Sequence, residues 1–495
     1  MRTVSRSPSS RNALVGDAVR ILLILAAIAV ALTACTSRAG AQYFGRNKVQ
    51  YEHFKFEILH TPHFDVHYYA AEKPAAEDAA RMLERWNARY SDLFNHPLSA
   101  RKPIILYADQ PDFQQTNVVS EQLDEGTGGV TESMLDRMVL PLAGSYAESD
   151  HVLGHEMVHV FQYDIAQSKA SVGASLDRLP QWLVEGMAEY LSLGGQDSHT
   201  AMWLRDAVLR NDLPTIKQLT DGGKYFPYRY GEALWAYIGG TWGDETVPRL
   251  FRAALSSGFD NAIRSTLGMS ADSLSDRWRA AIRRQYAPLV QGRSRPAETG
   301  EQIIPGSGQY GDYNIAPAIS PDGRLVAFFS SRDLTGISLY VADAVTGKVK
   351  SKIASPGVLS KFDALSFLYS AGTWSPDAKQ LAFVTYANGN NAIDVIDVRS
   401  HNIRRQFKPK NIGAVSTLAW SPDGRQIVFS GQQGGLSDLY LWDLSSGSLR
   451  QLTNDRFADL QPAWSPDGRS IAFATDRAAG PDSAGYGSDF QRLSY

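Results

Sequence analysis

Apolar and polar positions change period along the first 290 residues. The stretch FKFEILHTPHFDVHYY (54–69) alternates through Phe64-Asp65-Val66-His67-Tyr68 and predicts two strands about a His-Thr-Pro turn. Pro74–Phe94 instead places Met82, Leu83, Trp86, Tyr90 and Phe94 at helical spacing. Lys102–Tyr107 reads as a short buried strand. Arg137–Leu142 reads as another, closed by a Pro suited to a sheet edge. Helical spacing then returns in Ala147–Ile165, Leu179–Leu193, Thr200–Arg210, Tyr230–Gly239, Thr246–Leu255 and Ala271–Tyr286. Strands early and helices late predict an α+β domain over 42–290.

A Gly/Pro/Ser-rich linker over 291–312 changes the pattern, and an internal repeat follows over 313–495. Ser320-Pro321-Asp322-Gly323, Ser375-Pro376-Asp377-Ala378, Ser421-Pro422-Asp423-Gly424 and Ser465-Pro466-Asp467-Gly468 each precede a β-rich run. Pro presets φ at the second turn position and Gly takes conformations other residues avoid, so each copy predicts a tight turn between strands. In three copies a second strand follows (SLYVAD, AIDVIDV, DLYLWDL). A sheet repeating at this interval predicts the blades of an all-β propeller. The repeats resemble the WD40-like blades of TolB-type propellers. Four blades are few for closure, which leaves a small ring or a piece of a longer one. Asp322, Asp377, Asp423 and Asp467 read as turn formers.

Composition is that of an ordinary globular protein, with 43% hydrophobic and 20% charged residues. The formal charge of −3 gives no reason to expect nucleic acid as a partner. Four Arg against one Asp in the first 20 residues, then the apolar run Ile21–Leu32, predict an export signal too short to span a bilayer. Leu32-Thr33-Ala34-Cys35 resembles a bacterial lipobox, which would remove residues 1–34 and lipidate Cys35, the single Cys. Cleavage after Ala41 by an ordinary signal peptidase is the alternative. Loss of residues 1–34 leaves a charge of −6. An exported protein is expected, in the periplasm or envelope, touching a membrane only through such an anchor.

The chemistry-bearing pattern is His155-Glu156-Met157-Val158-His159 in a helical context. Positions i and i+4 share a helix face, so both imidazoles reach one metal ion, with Glu156 beside them as general base. His151 shares the face and reads as structural. A catalytic zinc wants three protein ligands and an open position. Downstream, Trp182-Leu183-Val184-Glu185-Gly186-Met187-Ala188-Glu189-Tyr190 offers a carboxylate on a second helix, with 25 residues between His159 and Glu185. Glu189, one turn on, suits a bond to a ligand imidazole. The pair of motifs resembles the gluzincin metallopeptidases, aminopeptidase N-like enzymes in particular. That resemblance implies one Zn2+, held by His155, His159 and Glu185. It also implies Tyr228 of Pro227-Tyr228-Arg229-Tyr230-Gly231 as oxyanion donor, with Tyr230 its neighbouring alternative. Gly129-Val130-Thr131-Glu132 stands where such enzymes grip a substrate amino terminus, which would make Glu132 substrate-binding; Arg137–Leu142 is an alternative edge for an extended substrate.

The expectation is therefore an exported zinc peptidase, exo- or endo-, with a propeller that selects substrates or docks a protein partner. The alternative is a non-catalytic envelope scaffold with a relic peptidase half.

Overall fold

The computed structural model describes residues 49–118, 123–132, 135–168, 176–304, 313–333, 336–356, 362–368, 372–477 and 493–494. The export segment, Cys35 and part of the linker lie outside these. Two compact units are distinguished. Of the described residues, 49 and 116–118 fall in one, and 50–115 with those from 123 onward fall in the other, which carries everything below.

Strands β1 (Phe56–His60), β2 (Phe64–Tyr69), β3 (Lys102–Tyr107), β4 (Val130–Glu132) and β5 (Arg137–Pro141) form one sheet in the order β1-β2-β3-β5-β4. The β2–β3 and β3–β5 pairs are parallel and the outer pairs antiparallel. Helix α1 (Lys73–Phe94) crosses between β2 and β3, and a short α2 (Gln110–Gln114) follows β3. Then come α3 (Tyr146–Ser168), α4 (Gln181–Leu193), α5 (Ser198–Leu209), α6 (Ile216–Asp221), α7 (Pro227–Trp242), α8 (Thr246–Ser257), α9 (Phe259–Leu267) and α10 (Ala271–Val290). Phe64, Phe94, Phe161, Trp182, Trp235 and Trp278 are all fully buried in the core beneath them.

One expectation is corrected. Arg137–Leu142 is not an edge: β5 pairs with β3 on one side and β4 on the other, and the edge strand on that side is β4. Pro141 is tolerated there because Leu142 N, one residue on, continues the ladder by donating to Tyr107 O at 2.8 Å. The side of Pro141 that lacks a donor faces β4, whose pairing has already ended at Val130 opposite Val139. The short helices α6 and α9 are additions to the sequence reading.

The C-terminal region is a succession of antiparallel sheets. The first contains β6 (Asn314–Ile319), β7 (Leu325–Asp333), β8 (Gly336–Asp343) and β9 (Val349–Ala354). In the second, β10 (Ala364–Leu365) and β11 (Thr373–Trp374) both pair with β12 (Gln380–Ala387), followed by β13 (Asn390–Asp397) and β14 (Ile403–Phe407). The third holds β15 (Ala414–Trp420), β16 (Gln426–Gln433), β17 (Leu436–Asp443) and β18 (Leu449–Gln451). The fourth holds β19 (Asp459–Trp464), β20 (Ile471–Thr475) and β21 (Leu493–Ser494), which supplies the last copy with a further paired strand.

The Ser-Pro-Asp turns join β6 to β7, β11 to β12, β15 to β16 and β19 to β20. In the first, Ser320 Oγ donates to Asp322 Oδ1 at 2.6 Å, which also accepts from Arg324 N. The same bonds recur at Asp377, Asp423 and Asp467. These aspartates hold their turns. Sheets are tied to neighbours by Trp374 and Trp464, whose indole N–H groups donate to Ala318 O and Ala419 O.

The third sheet packs directly on the α+β half. Gln432 Nε2 donates to Ala108 O and Leu142 O, both at 2.7 Å, just past the ends of β3 and β5. Ser437 N donates to Gly144 O at 3.1 Å.

Candidate metal centre

Helix α3 is buried along most of its length, which is why its hydrophobic residues do not form a single stripe. His155 and His159, one turn apart, point from it toward α4. Nε2 of His159 lies 3.2 Å from Nε2 of His155 and 3.2 Å from Oε2 of Glu185, which is itself 3.4 Å from Nε2 of His155. A tetrahedral zinc with ligand bonds of about 2.0–2.1 Å holds its donors roughly 3.3 Å apart. Two borderline imidazole nitrogens and one carboxylate oxygen at that mutual spacing fit one such ion. Among the described residues this is the one group of three or more His, Cys, Asp or Glu side chains spaced for a metal.

The outward nitrogens are anchored. Nδ1 of His159 bonds Oε1 of Gln162 at 2.8 Å, and the Gln162 amide donates to Val184 O on α4 at 3.0 Å. Oε1 of Glu189 lies 3.1 Å from Nδ1 of His155. Behind it, Arg229 meets Glu189 at 3.2 Å, with Asp197 and Glu232 also within ion-pair distance. Burial opposes charge on His155, but Glu185 and Glu189 outweigh it and hold its pKa at about 10. His155 and His159 in turn pull the Glu185 carboxyl well below its ordinary range, against burial.

Glu156 points into the same cleft of about 460 Å³, which is lined by Gly129, Val130, Thr131, Tyr163, Val184 and Tyr228 as well as the cluster itself. Thr131 Oγ1 donates to Glu156 Oε2 at 2.6 Å. Gly129 makes room: a Cβ there would stand 2.8 Å from the Glu156 side chain. A pair of glycines brings α4 and α7 together. A Cβ on Gly186 would meet the Gly231 backbone at 2.4 Å, so both positions must lack one for the helices to cross this closely. That crossing brings Tyr228, at the start of α7, to the cleft. Its ring stacks on His155 with centroids 6.0 Å apart. Burial, reinforced by Glu185, holds its phenol well above the ordinary value, so it stays a donor.

The structure thus gathers His155, His159, Glu185, Glu156, Glu189 and Tyr228. It does not bring Glu132 or Tyr230 to the cleft. Glu132 pairs with Arg137 at 2.6 Å on the neighbouring strand. Tyr230 packs between Trp203 and Tyr225, because residues two apart on a helix face different ways. His151 bonds Ser192 Oγ at 3.1 Å and stands outside the cluster. Sequence reasoning missed Gln162, although its i+3 spacing from His159 was a usable signal, and it missed Arg229.

Residues 134–275 match the model of a family described as peptidase of plants and bacteria, and residues 366–495 match the TolB beta propeller domain. No curated protein matches the chain. Solved structures that resemble it include a protein assigned as TolB from Agrobacterium tumefaciens, at 21% identity and a TM-score of 0.29 over 35% of this chain and 58% of that one. TolB from Acinetobacter baumannii gives 21% identity and a TM-score of 0.29, over 40% of this chain and 53% of that one. The chain thus spans just over half the length of these structures. It is multidomain, a mixed α/β region of peptidase-family similarity followed by a propeller-like region of TolB type.

Proposed function

We propose that the α+β half is a zinc-dependent peptidase of gluzincin type that hydrolyses peptide bonds. The observation that carries this reading is the convergence of His155, His159 and Glu185 donors beside the Glu156 carboxylate. Zinc held by those three residues would supply a Lewis acid for the scissile carbonyl and lower the pKa of a water to about 7. Glu156, oriented by Thr131, accepts the proton of the attacking water and returns it to the leaving amine. The Tyr228 hydroxyl donates to the oxyanion as it forms. The free edge of β4, whose Val130 and Thr131 line the cleft, offers backbone groups to an extended peptide. The Arg-rich leader and apolar run support an exported protein, anchored through Cys35 or free, and the propeller suits substrate selection or docking of a protein partner.

Metal analysis with peptide turnover tests the reading. Purified protein is expected to hold one zinc per chain. Glu156→Gln should keep it and lose nearly all turnover, while His155→Ala and Glu185→Ala should lose the zinc. A chain without stoichiometric zinc, or a fully active Glu156→Gln, would instead favour the scaffold.

A further inference from the structure

Glu125 lies in the loop 123–129 that runs into β4, and it is 8% exposed. Its bonds reach across to the second propeller sheet. Oε1 accepts from Ser366 Oγ at 2.5 Å, and Oε2 accepts from the backbone N–H groups of Phe367 and Leu368 at 3.0 and 3.3 Å. These three donors directly follow β10. Bonds to a carboxylate are the strong kind, and two of these come from main chain that cannot rotate away.

The loop between Glu125 and the cleft is short and tied. Thr127 N donates to Asp124 O, and the Gln110 amide donates to Asp124 O and Thr127 O. Four residues past Glu125, Gly129 stands against the Glu156 side chain, and two further on Thr131 bonds its carboxylate. Movement at Glu125 is therefore passed to the strand that lines the cleft.

We infer that the second propeller sheet sets the position of the β4 edge through Glu125, so that the propeller builds one side of the peptide site. Glu125 is a positioning residue: it touches neither the metal cluster nor the cleft. The inference rests on reading β4 as the edge that pairs with a peptide.

Three variants of the full chain test it, each followed by hydrogen exchange, zinc content, KM and kcat on an extended peptide. E125A should raise exchange in residues 123–132 and leave zinc content unchanged, since the ligands stand on α3 and α4. KM should rise about tenfold while kcat stays within about twofold, the pattern of lost ground-state binding. S366A, one hydroxyl lost, should shift both in the same direction by less, and it carries the test should E125A fail to fold. N390A removes another second-sheet bond, the exposed one from the Asn390 amide to Glu52, and should leave KM and the exchange of 123–132 at wild-type values. Unchanged exchange in E125A, or an equal rise of exchange and KM in N390A, would overturn the inference. A wild-type chain that cleaves no peptide would sink the peptidase reading alone, because the exchange comparison still decides whether Glu125 holds β4.

Discussion

At His159 the two ring nitrogens face different partners. Nδ1 meets the Gln162 oxygen and Nε2 meets the cluster. Because the Gln162 amide is held by Val184 O, its oxygen is the group turned to the imidazole, so Nδ1 carries a proton and Nε2 is the nitrogen that would offer a lone pair to a metal. The arrangement at His155 differs, with a carboxylate, Glu189, on the outer side. Removing the neutral anchor frees the ring and its tautomer without adding or removing charge. Gln162→Ala is therefore expected to weaken zinc about 10–100-fold in a chelator competition, with the fold intact by circular dichroism. Unaltered affinity would mean that packing alone orients His159. The pairing of His155 with His159, and Glu156 beside them, was legible in the sequence because helical spacing of i and i+4 is a local rule, whereas Glu185, 26 residues on, came from the second motif and the family resemblance. Tyr228 was legible only through a family resemblance. Arg229 was not, since Glu189 and Asp197 meet it only once other helices have packed against its own, and only Glu232 is a local i+3 neighbour.

Helix α3 is pinned at its far end by a buried ionic group. Lys102 on β3 is 1% exposed and bonds Asp164 at 2.8 Å and also Asp136, while His96 and Ser99 bond the same Asp164 carboxylate at 2.7 and 2.6 Å. Burial alone would raise the Asp164 carboxyl, yet Lys102, Ser99 and His96 hold it at about 2 against an ordinary 3.8. The folded state thus binds fewer protons than the unfolded chain between those values. The contribution of Asp164 is complete above pH 3.8 and is lost as pH falls toward 2. A shift of that size corresponds to about 2 kcal/mol. Asp164→Asn should accordingly lower urea-unfolding stability at pH 7 and flatten its dependence between pH 4 and 2. An identical slope in the variant would show that another group carries the acid sensitivity. The strand KPIILY was readable from its pattern, but the fate of its lysine was not, because Asp136 and Asp164 lie 34 and 62 residues away. The edge assignment failed for a related reason: which strand lies outermost depends on pairing order, and a Pro at a strand's last position satisfies a central strand as well as an edge.

Across the whole molecule, the repeat was legible because each Ser-Pro-Asp turn is a closed local unit, whose side chains satisfy their own backbone. How the sheets meet the α+β half was not, since the contacts join residues some 290 to 324 positions apart. Those contacts fall at a sensitive place. Leu142 and Gly144 lie in the connection from β5 to α3, so the hairpin of β16 and β17 braces the entry to the helix that carries both histidines. Gln432 serves two carbonyls there with one amide nitrogen. Deleting it leaves Ala108 O and Leu142 O without that donor, a loss of about 1–3 kcal/mol for each buried acceptor left unpaired. If the two halves are one cooperative body, the wild-type chain melts in a single calorimetric transition, and Gln432→Ala lowers that transition as a whole. Were the halves independent, two transitions would be seen, and loss of a bond between them would leave the intrinsic stability of each nearly unchanged. Calorimetry on the two proteins separates these cases directly. The expected result is one transition, lowered in the variant, with the zinc content of the folded protein unaltered.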